Sequence, residues 1–162
     1  MDFAELYENH ARDVYRFSLF LSGNPAVADD LTAETFARAL AGRDNLRLET
    51  VRGYLLAIAR NLFRDSWRQD RRFVALEQQP EGIDPRPGAD VAAEGRERLA
   101  RVLEAMRQLP VAEREALVLA VDRELPYQEI AAIVGASVPA VKVRVHRARM
   151  RLKSLLEDKE HS

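Results

Sequence analysis

The sequence lacks cysteine and has only 7 glycines and 7 prolines among its 162 residues. Without cysteine, a disulfide framework and thiolate metal sites are excluded. Since helix breakers are few and Leu, Ala and Arg are abundant, the composition favours an all-α fold, in one domain or two small ones. Apolar runs are far shorter than a membrane span, and the N-terminal stretch MDFAELYENH is acidic where a signal peptide would be basic. The sequence therefore predicts a soluble, cytoplasmic helical protein with no membrane insertion.

An excess of charge of one sign is also missing, since 25 basic and 26 acidic side chains leave a net charge of -1. The distribution is uneven, however. Acidic residues outnumber arginines in the first 40 positions, whereas positive charge collects in two blocks, Arg60–Arg72 and Lys142–Lys153. Because the acidic parts oppose the phosphate field, such a chain should bind DNA weakly by itself. We therefore expect two kinds of partner, a polyanion and a protein.

A helix-turn-helix is predicted near the C-terminal end. It begins with a short helix over Tyr127–Val134, continues through the turn Gly135-Ala136-Ser137, and enters a longer basic helix near Val138. Gly135 can adopt the left-handed conformation that ends the first helix, and Ser137 can cap the free N–H groups of the second. Pro139 is tolerated in a first helical turn, because the N–H group that it lacks would have no partner there. The local chemistry therefore specifies the turn.

The second helix of this motif is amphipathic and strongly basic. At ~100° per residue its apolar positions form one stripe that must face a core: Val141, Val145, Ala148, Leu152, Leu155 and Leu156. The other faces carry His146 and cations with no acidic residue between them: Lys142, Arg144, Arg147, Arg149, Arg151 and Lys153. A solvated helix face is the alternative. Since surface helices usually mix both signs, the run favours a polyanion, with the first turns entering a major groove.

Three helices are predicted in the N-terminal half, over residues 3–21, 26–41 and 51–72, the third capped by Thr50. In the third helix the apolar positions form a stripe to be buried: Tyr54, Leu55, Ile58, Ala59 and Leu62. The opposite side gathers Arg60, Arg64, Trp67 and Arg71. Trp67 either packs on a neighbouring helix or offers a stacking surface for unpaired bases beside a phosphate-binding stripe.

Helical periodicity fails from about Phe73 to Glu94, where the segment EQQPEGIDPRPGAD combines proline with acidic residues. We interpret residues 73–94 as an extended anionic linker between two helical domains, 1–72 and 95–162. An ordinary solvated tether explains this composition. The second domain is predicted to start near Gly95, to break at Leu109-Pro110, and to continue with a helix over Val111–Val121 ahead of the helix-turn-helix.

These segments, in this order, resemble the small two-domain sigma factors of bacterial RNA polymerase, the extracytoplasmic-function (ECF) group of the sigma-70 family. The stretch ADDLTAETFARAL (residues 28–40) is similar to the region 2 segment that docks on the clamp helices of the largest polymerase subunit. RGYLLAIARNLFRDSWRQDRR (52–72) resembles the segment that reads and melts the minus-10 element, and residues 109–152 resemble region 4, whose helix-turn-helix reads the minus-35 element. The resemblance implies a sigma factor that directs promoter-specific transcription initiation.

Residue by residue, the resemblance assigns three sites. Core-polymerase docking matches Asp29, Asp30, Leu31, Glu34 and Phe36. Minus-10 recognition and strand opening match Arg60, Asn61, Arg64, Asp65, Trp67, Arg68 and Arg71, and the preceding loop adds Arg43, Asp44 and Asn45 as walls of a base pocket. Minus-35 recognition matches Lys142, Arg144, His146, Arg147 and Arg149. Holding an extruded base by stacking and edge hydrogen bonds is chemistry that Asn, Asp, Arg and an aromatic ring supply.

Some of these residues admit other roles. Asn61 and Asp65 could brace the preceding loop instead of contacting bases. Asp30 and Glu34 lie one turn apart, as a metal or acid–base pair would. Carboxylate metal clusters in helical bundles also use histidines at set spacing, however, and the chain has 3 histidines, far apart in sequence. The docking role is therefore favoured for the acidic pair.

The recognition helix departs from the commonest family pattern. Pro139-Ala140 stands where Gly-Thr is usual, and Val143 stands where Ser is usual. Two polar contacts to DNA are therefore missing, which leaves Ala140 and Val143 to meet thymine methyl groups.

As partners, the resemblance implies promoter DNA and core RNA polymerase, bound through the clamp helices of its largest subunit and the flap of its second-largest. The acidic linker would thread the polymerase cleft. Many members of the group have an anti-sigma factor, so such a partner is a further expectation. No enzyme activity, metal or cofactor is expected, since nothing in the sequence has the spacing of a catalytic or phosphate-binding motif. The rival hypotheses are a one-component DNA-binding regulator and a helical adaptor or anti-sigma-like decoy that does not read DNA.

Overall fold

The computed structural model describes residues 2–42, 50–70, 90–122 and 125–160. These ranges fold into the helices α1 (Phe3–Ser22), α2 (Pro25–Ala41), α3 (Val51–Asp70), α4 (Asp90–Arg107), α5 (Val111–Val121), α6 (Tyr127–Val134) and α7 (Val138–Glu160). No strand occurs within them, and the predicted all-α fold class is confirmed. Within the same ranges, no helix has the combination of length and apolar character that crossing a bilayer requires.

Short polar residues begin the first two helices, as capping chemistry predicts. Asp2 accepts a hydrogen bond from the N–H group of Glu5 at 2.9 Å ahead of α1, and Asn24 accepts from two N–H groups at the start of α2. Gly23 ends α1 in the left-handed conformation, with φ at 70°. The chain therefore passes from α1 to α2 through Gly23 and Asn24 alone.

The predicted cap at the start of α3 is present in the structure, whereas α4 begins earlier than the sequence predicts. Thr50 accepts a hydrogen bond from the N–H group of Gly53 at 2.9 Å, so the predicted cap of α3 is confirmed. α4 begins at Asp90, ahead of the start predicted near Gly95. An acidic residue followed by Val-Ala-Ala suits a helical first turn, because carboxylates are favourable at the positive end of the helix dipole. Residues 71–89, which hold most of the predicted linker, lie outside the described ranges.

Large apolar side chains from α1, α2 and α3 form the core of the N-terminal half. Each of the following is at most 6% exposed: Val14, Phe17, Leu21, Leu31, Phe36, Leu55 and Ile58. Burial of each such side chain contributes about 1.5–3 kcal/mol of transfer free energy. The predicted stripe of α3 is confirmed at Leu55, Ile58, Ala59 and Leu62, whereas Tyr54 is half-buried.

In the C-terminal half, α5, α6 and α7 pack on one another, and α4 lies against α7. Val141, Val145 and Ala148 of α7 are at most 2% exposed. Further along the helix, Leu152 and Leu155 are half-buried against a small cluster that includes Met106. The apolar stripe predicted for the basic helix is therefore confirmed, and it is buried most deeply in the turns that follow the helix-turn-helix corner.

The two halves share one hydrophobic core. The cluster that contains Leu55 and Ile58 continues through Leu119 of α5 and Ile130 of α6. α3 contacts α6, and α1 contacts both α4 and α5. Because α3 is covered on more than one side, Leu56 and Phe63, which lie outside its predicted stripe, are also buried. The arginine-bearing face of α3 consequently lies beside the C-terminal half.

Candidate nucleic-acid interface

A polar cleft of about 380 Å³ runs along the arginine face of α3. Its lining comes from α3 and from one residue of α2, and consists of Arg38, Arg60, Asn61, Arg64, Asp65 and Arg68. The lining residues that α3 contributes recur every three or four positions along the helix, so they project from one side of it. The structure thus brings together most of the predicted minus-10 residues and adds Arg38. Arg71, the side chain of Trp67 and loop residues 43–49 lie outside the described part.

Two arginines of the cleft share one carboxylate from the C-terminal half. Glu115 of α5 accepts hydrogen bonds at 2.8 Å from Nε of Arg60 and at 2.8 Å from Nε of Arg64. Arg64 also donates through Nη2 to the second carboxylate oxygen at 2.5 Å. The Glu115 side chain is 0% exposed. The hydrogen bond to Glu115 raises the pKa of Arg64 against the opposing effect of burial. Both guanidinium groups are therefore already paired with a carboxylate.

The remaining cleft residues are less constrained. Asn61 accepts a hydrogen bond from Nη1 of Arg60 at 3.1 Å, so its amide helps to orient that arginine. The side chains of Asp65 and Arg68 are exposed to solvent. The alternative role foreseen for Asn61 and Asp65, bracing the preceding loop, concerns residues outside the described ranges.

The predicted docking residues on α2 divide into an exposed and a buried set. Asp29, Asp30 and Glu34 are exposed, and Glu34 forms an ion pair with Arg38 at 3.5 Å. Leu31 and Phe36 are 6% and 2% exposed, because the apolar side of α2 packs on α1 and α3. These two side chains position the helix and cannot themselves form its outer surface.

An aromatic cluster at the start of α1 extends this region. The Phe36 ring lies 5.0 Å from that of Tyr7 and 6.4 Å from that of Phe3, measured between centroids. Phe3 and Tyr7 are 43% and 46% exposed. The two rings therefore cover Phe36 on one side and remain partly exposed on the other. Tyr15 lies further along α1, where burial raises the pKa of its hydroxyl group and the nearby charge of Asp29 raises it as well.

The helix-turn-helix has the geometry that its turn chemistry predicts. Gly135 adopts the left-handed conformation, with φ at 67°, and closes α6. Ser137 Oγ accepts a hydrogen bond from the N–H group of Ala140 at 3.2 Å, so the cap of α7 is confirmed. Since both ends of the turn are satisfied by local groups, α7 leaves the corner in a defined direction.

The predicted minus-35 residues lie on the outer faces of α7. Lys142, His146, Arg147 and Arg149 are exposed, and Arg144 is half-buried. The Nζ atom of Lys142 lies 5.9 Å from the centroid of the Tyr127 ring. Arg151, further along, pairs with Glu113 of α5 at 3.0 Å. The first turns of α7 therefore carry the free cationic surface, accompanied by Val143, which is 46% exposed.

Several contacts between the halves involve residues that sequence reasoning missed. The Thr50 hydroxyl donates to Glu129 of α6 at 2.6 Å. Arg52 of α3 pairs with Asp122, which follows α5, at 2.8 Å. Arg107 donates to the carbonyl of Gly23 at 2.8 Å. The available signal was the presence of acids on helices otherwise rich in apolar residues, as in REALVLAV for Glu115 and YQEIAAIV for Glu129.

Arg114 joins the end of α1 to the turn between α4 and α5. It donates to the carbonyls of Leu21 at 2.6 Å, Leu109 at 2.9 Å and Arg107 at 3.0 Å. Burial lowers the pKa of Arg114 to about 10, opposed by Glu115 and reinforced by Arg107. The Arg114 guanidinium therefore stays protonated at neutral pH and keeps the N–H donors that the three carbonyls require.

Comparisons with known proteins agree with this geometry. The family description sigma-70 region 2 matches residues 6–73, and the description sigma-70 region 4 matches residues 99–152. The chain is 38% identical to the ECF RNA polymerase sigma factor SigE of Mycolicibacterium smegmatis over 156 residues, which is 94% of this chain and 60% of that protein. It is 39% identical to the ECF RNA polymerase sigma factor EcfG of Rhodopseudomonas palustris, over 86% of this chain and 77% of that one. It thus spans less than two thirds of the length of SigE.

Two solved structures have the same fold. The sigma factor RpoE in complex with the anti-sigma factor NepR, from Bartonella quintana, gives a TM-score of 0.77 at 28% identity, over 96% of this chain and 97% of that one. CnrH in complex with the cytosolic domain of CnrY gives a TM-score of 0.68 at 27% identity, over 96% of this chain and 88% of that one.

Proposed function

Because the chain belongs to the ECF sigma factors, transcription initiation factors of the sigma-70 family that are not enzymes, we propose that it binds core RNA polymerase and directs it to promoters in the cytoplasm. The observation that carries this proposal is the pairing, in one chain, of a helix-turn-helix with a cationic outer face and a separate helix lined with arginines. In this proposal residues 1–72 form region 2, residues 95–162 form region 4, and residues 73–94 link them.

Core polymerase docks on α2. Asp29, Asp30 and Glu34 present carboxylates on one rigid helix, a surface that repels DNA and suits a protein partner. Leu31 and Phe36 contribute by anchoring that helix to α1 and α3. The clamp helices of the largest subunit are the partner of this surface, and region 4 meets the flap of the second-largest subunit.

Minus-10 recognition and strand opening belong to α3. Arg60, Arg64 and Arg68 supply charge for the backbone of a single strand, while Asn61 and Asp65 supply hydrogen-bonding groups for a base edge. Trp67 and Arg71 share this role through their match to the family motif, Trp67 as a stacking platform for an extruded base.

Minus-35 recognition belongs to α7. Lys142, His146, Arg147 and Arg149 are exposed on the turns that follow the corner of the helix-turn-helix, with Arg144 beside them. A recognition helix reads base edges with its N-terminal residues, and the later cations contact phosphates. Val143 adds an apolar contact suited to a thymine methyl group.

An anti-sigma factor is the remaining proposed partner. It is motivated by the two structural relatives, each of which was solved with a partner bound. Co-purification of the chain with a protein that blocks its binding to core polymerase would support this part of the proposal.

The direct test is transcription reconstituted from core polymerase, a genomic promoter library and the full chain. Specific RNA 5′ ends should appear only when the chain is added, and the free chain should bind the same promoters weakly. Tight promoter binding without polymerase would favour a one-component regulator. Retention by core polymerase with no specific initiation would favour an adaptor.

Strand opening is tested separately with Trp67→Ala, using Trp67→Phe as the control that keeps an aromatic ring. The alanine variant should reduce permanganate reactivity of the minus-10 region while closed complexes still form. A footprint equal to that of the unsubstituted chain would contradict the stacking role.

A further inference from the structure

We infer that Glu115 acts as an internal substitute for a DNA phosphate, holding the chain in a closed state in which the proposed minus-10 arginines are occupied. The inference rests on the proposed function of α3 and adds a regulatory contact to it. Single-stranded DNA and Glu115 would then compete for Arg60 and Arg64.

The geometry of the contact supports this competition. Glu115 places two oxygens against the Nε atoms of both arginines and the Nη2 atom of Arg64. Phosphate oxygens are recognised by guanidinium groups in the same forked manner. Each donor that points at Glu115 is one that a backbone phosphate would use, so both ligands cannot hold these atoms at once.

Burial makes Glu115 a strong competitor. Its side chain is 0% exposed, while those of Arg60 and Arg64 are 20% and 26% exposed. A phosphate can therefore approach the arginines from the solvent side only, and the side that faces α5 is closed. Arg60 also donates to the carbonyl of Val134 in α6 at 3.4 Å, which adds a second contact to the C-terminal half.

The contact lies between the halves, so it is reversed when they separate, a movement that also exposes the part of the core that they share. If α5 separates from α3, Glu115, Arg60 and Arg64 all return to water together, and no buried charge is left without a partner. The other charged and polar contacts between the halves would separate in the same movement, among them Thr50 with Glu129, Arg52 with Asp122, Arg107 with the Gly23 carbonyl and Arg114 with the Leu21 carbonyl. Opening is thus one concerted event that frees the arginine face of α3.

A glycine provides an independent way to loosen the closed state. A Cβ atom at Gly53 of α3 would lie 2.2 Å from Oε1 of Glu129 and 3.0 Å from Oγ1 of Thr50. Gly53→Ala should therefore displace the Glu129 carboxylate from Thr50 without changing any arginine of the cleft. Gly95→Ala in α4 is its matched control, since nothing lies within 4 Å of a Cβ atom there.

The test measures binding of a fluorescent oligothymidylate to the full chain at low salt, without polymerase, by fluorescence anisotropy. Glu115→Gln should bind about tenfold more tightly than the unsubstituted chain, because a charge-assisted contact that competes with the strand is lost. Glu97→Gln, which removes the same charge from the exposed face of α4, should leave the affinity unchanged. Adding Arg60→Ala and Arg64→Ala to Glu115→Gln should abolish the gain.

The movement itself is measured with spin labels at Ala33→Cys and Ala132→Cys, two exposed positions on α2 and α6 of a chain that has no cysteine of its own. Glu115→Gln should add a population with a longer distance between the labels. The inference is overturned if Glu115→Gln binds no more tightly than Glu97→Gln, or if it binds more tightly with an unchanged distance.

Two further outcomes are decided in advance. If Glu115→Gln does not fold, Gly53→Ala against Gly95→Ala decides, and equal oligothymidylate affinity for these two overturns the inference. Failure of the unsubstituted chain to initiate transcription with core polymerase would refute the proposed function, whereas the distance measurement reports on the closed state in either case.

Discussion

The two basic helices of this chain both carry a row of cations on one side, but the surroundings of these cations differ. On α3, Arg60 and Arg64 are paired with a carboxylate that is 0% exposed, in a contact between the two halves. On α7, Lys142, His146, Arg147 and Arg149 point to solvent, and the paired arginine, Arg151, lies toward the far end of the helix. Arg60 and Arg64 of α3 are therefore engaged by a carboxylate of the same chain, whereas the cations in the first turns of α7 are exposed to solvent.

This difference follows from where each helix lies. α7 buries a single stripe on α4, α5 and α6, which leaves the rest of its circumference open. α3 lies between α1, α2 and α6, so more of its surface is covered and one of its polar edges faces the other half. A basic helix therefore offers a ligand site only when the elements around it leave its cations uncovered, and a run of arginines does not establish this by itself.

The largest effect should come from the buried side of α3. Leu55 is 0% exposed in the core that both halves share. Leu55→Ala should lower the free energy of unfolding by about 2–5 kcal/mol, because it removes transfer free energy and leaves a cavity. Val143→Ala on the open side of α7 should change it by no more than about 0.5 kcal/mol. Urea denaturation followed by circular dichroism measures both values, and equal losses would contradict the difference in burial.

Arg114 tests the polar part of the contact between the halves. Arg114→Lys should cost about 1–3 kcal/mol of unfolding free energy, because an ammonium group cannot reach all three carbonyls that the guanidinium bridges. Arg98→Lys on the exposed face of α4 is the control and should be neutral. If the two substitutions have the same midpoint of denaturation, the carbonyl contacts of Arg114 contribute nothing.

The open face of α7 is tested with Arg147→Ala. The proposed minus-35 role predicts about tenfold weaker binding of the polymerase complex to upstream duplex DNA, with binding to core polymerase unchanged. Lys153→Ala, later on the same helix, should have a smaller effect. Mobility-shift titrations at two salt concentrations separate a base contact from a phosphate contact, since only the latter lowers the salt dependence. Parallel losses of DNA and polymerase binding would refute the assignment.

The smallest effect is expected at the helix-turn-helix corner. Ser137→Ala removes the cap of α7 and should cost about 1 kcal/mol of stability. Ser137→Asp, which keeps an oxygen acceptor, should restore most of that loss. Thermal melting of the three chains would show whether the cap matters, and an alanine variant as stable as the unsubstituted chain would rule it out.

Much of the fold could be predicted because its signals are local. The turn at Gly135 and Ser137, the cap at Thr50 and the buried stripe of α7 depend on residues within a few positions of one another, and the structure confirms each of them. The cleft could be predicted in part, since the α3 arginines share a face by helical spacing alone. Their engagement by Glu115 could not, because 55 positions separate Arg60 from Glu115 in the chain.

The sequence by itself determined the helices, their caps, the amphipathic design of α7 and the family to which the chain belongs, since all of these are written in short-range spacing and in motif order. Tertiary structure alone decided that the halves share one core, that Phe36 is buried beneath the rings of Phe3 and Tyr7, and that Arg60 and Arg64 have a partner in the other half. The physical reason is that burial and ion pairing depend on which surfaces meet, and distant segments such as α3 and α5 meet only once the whole chain is packed.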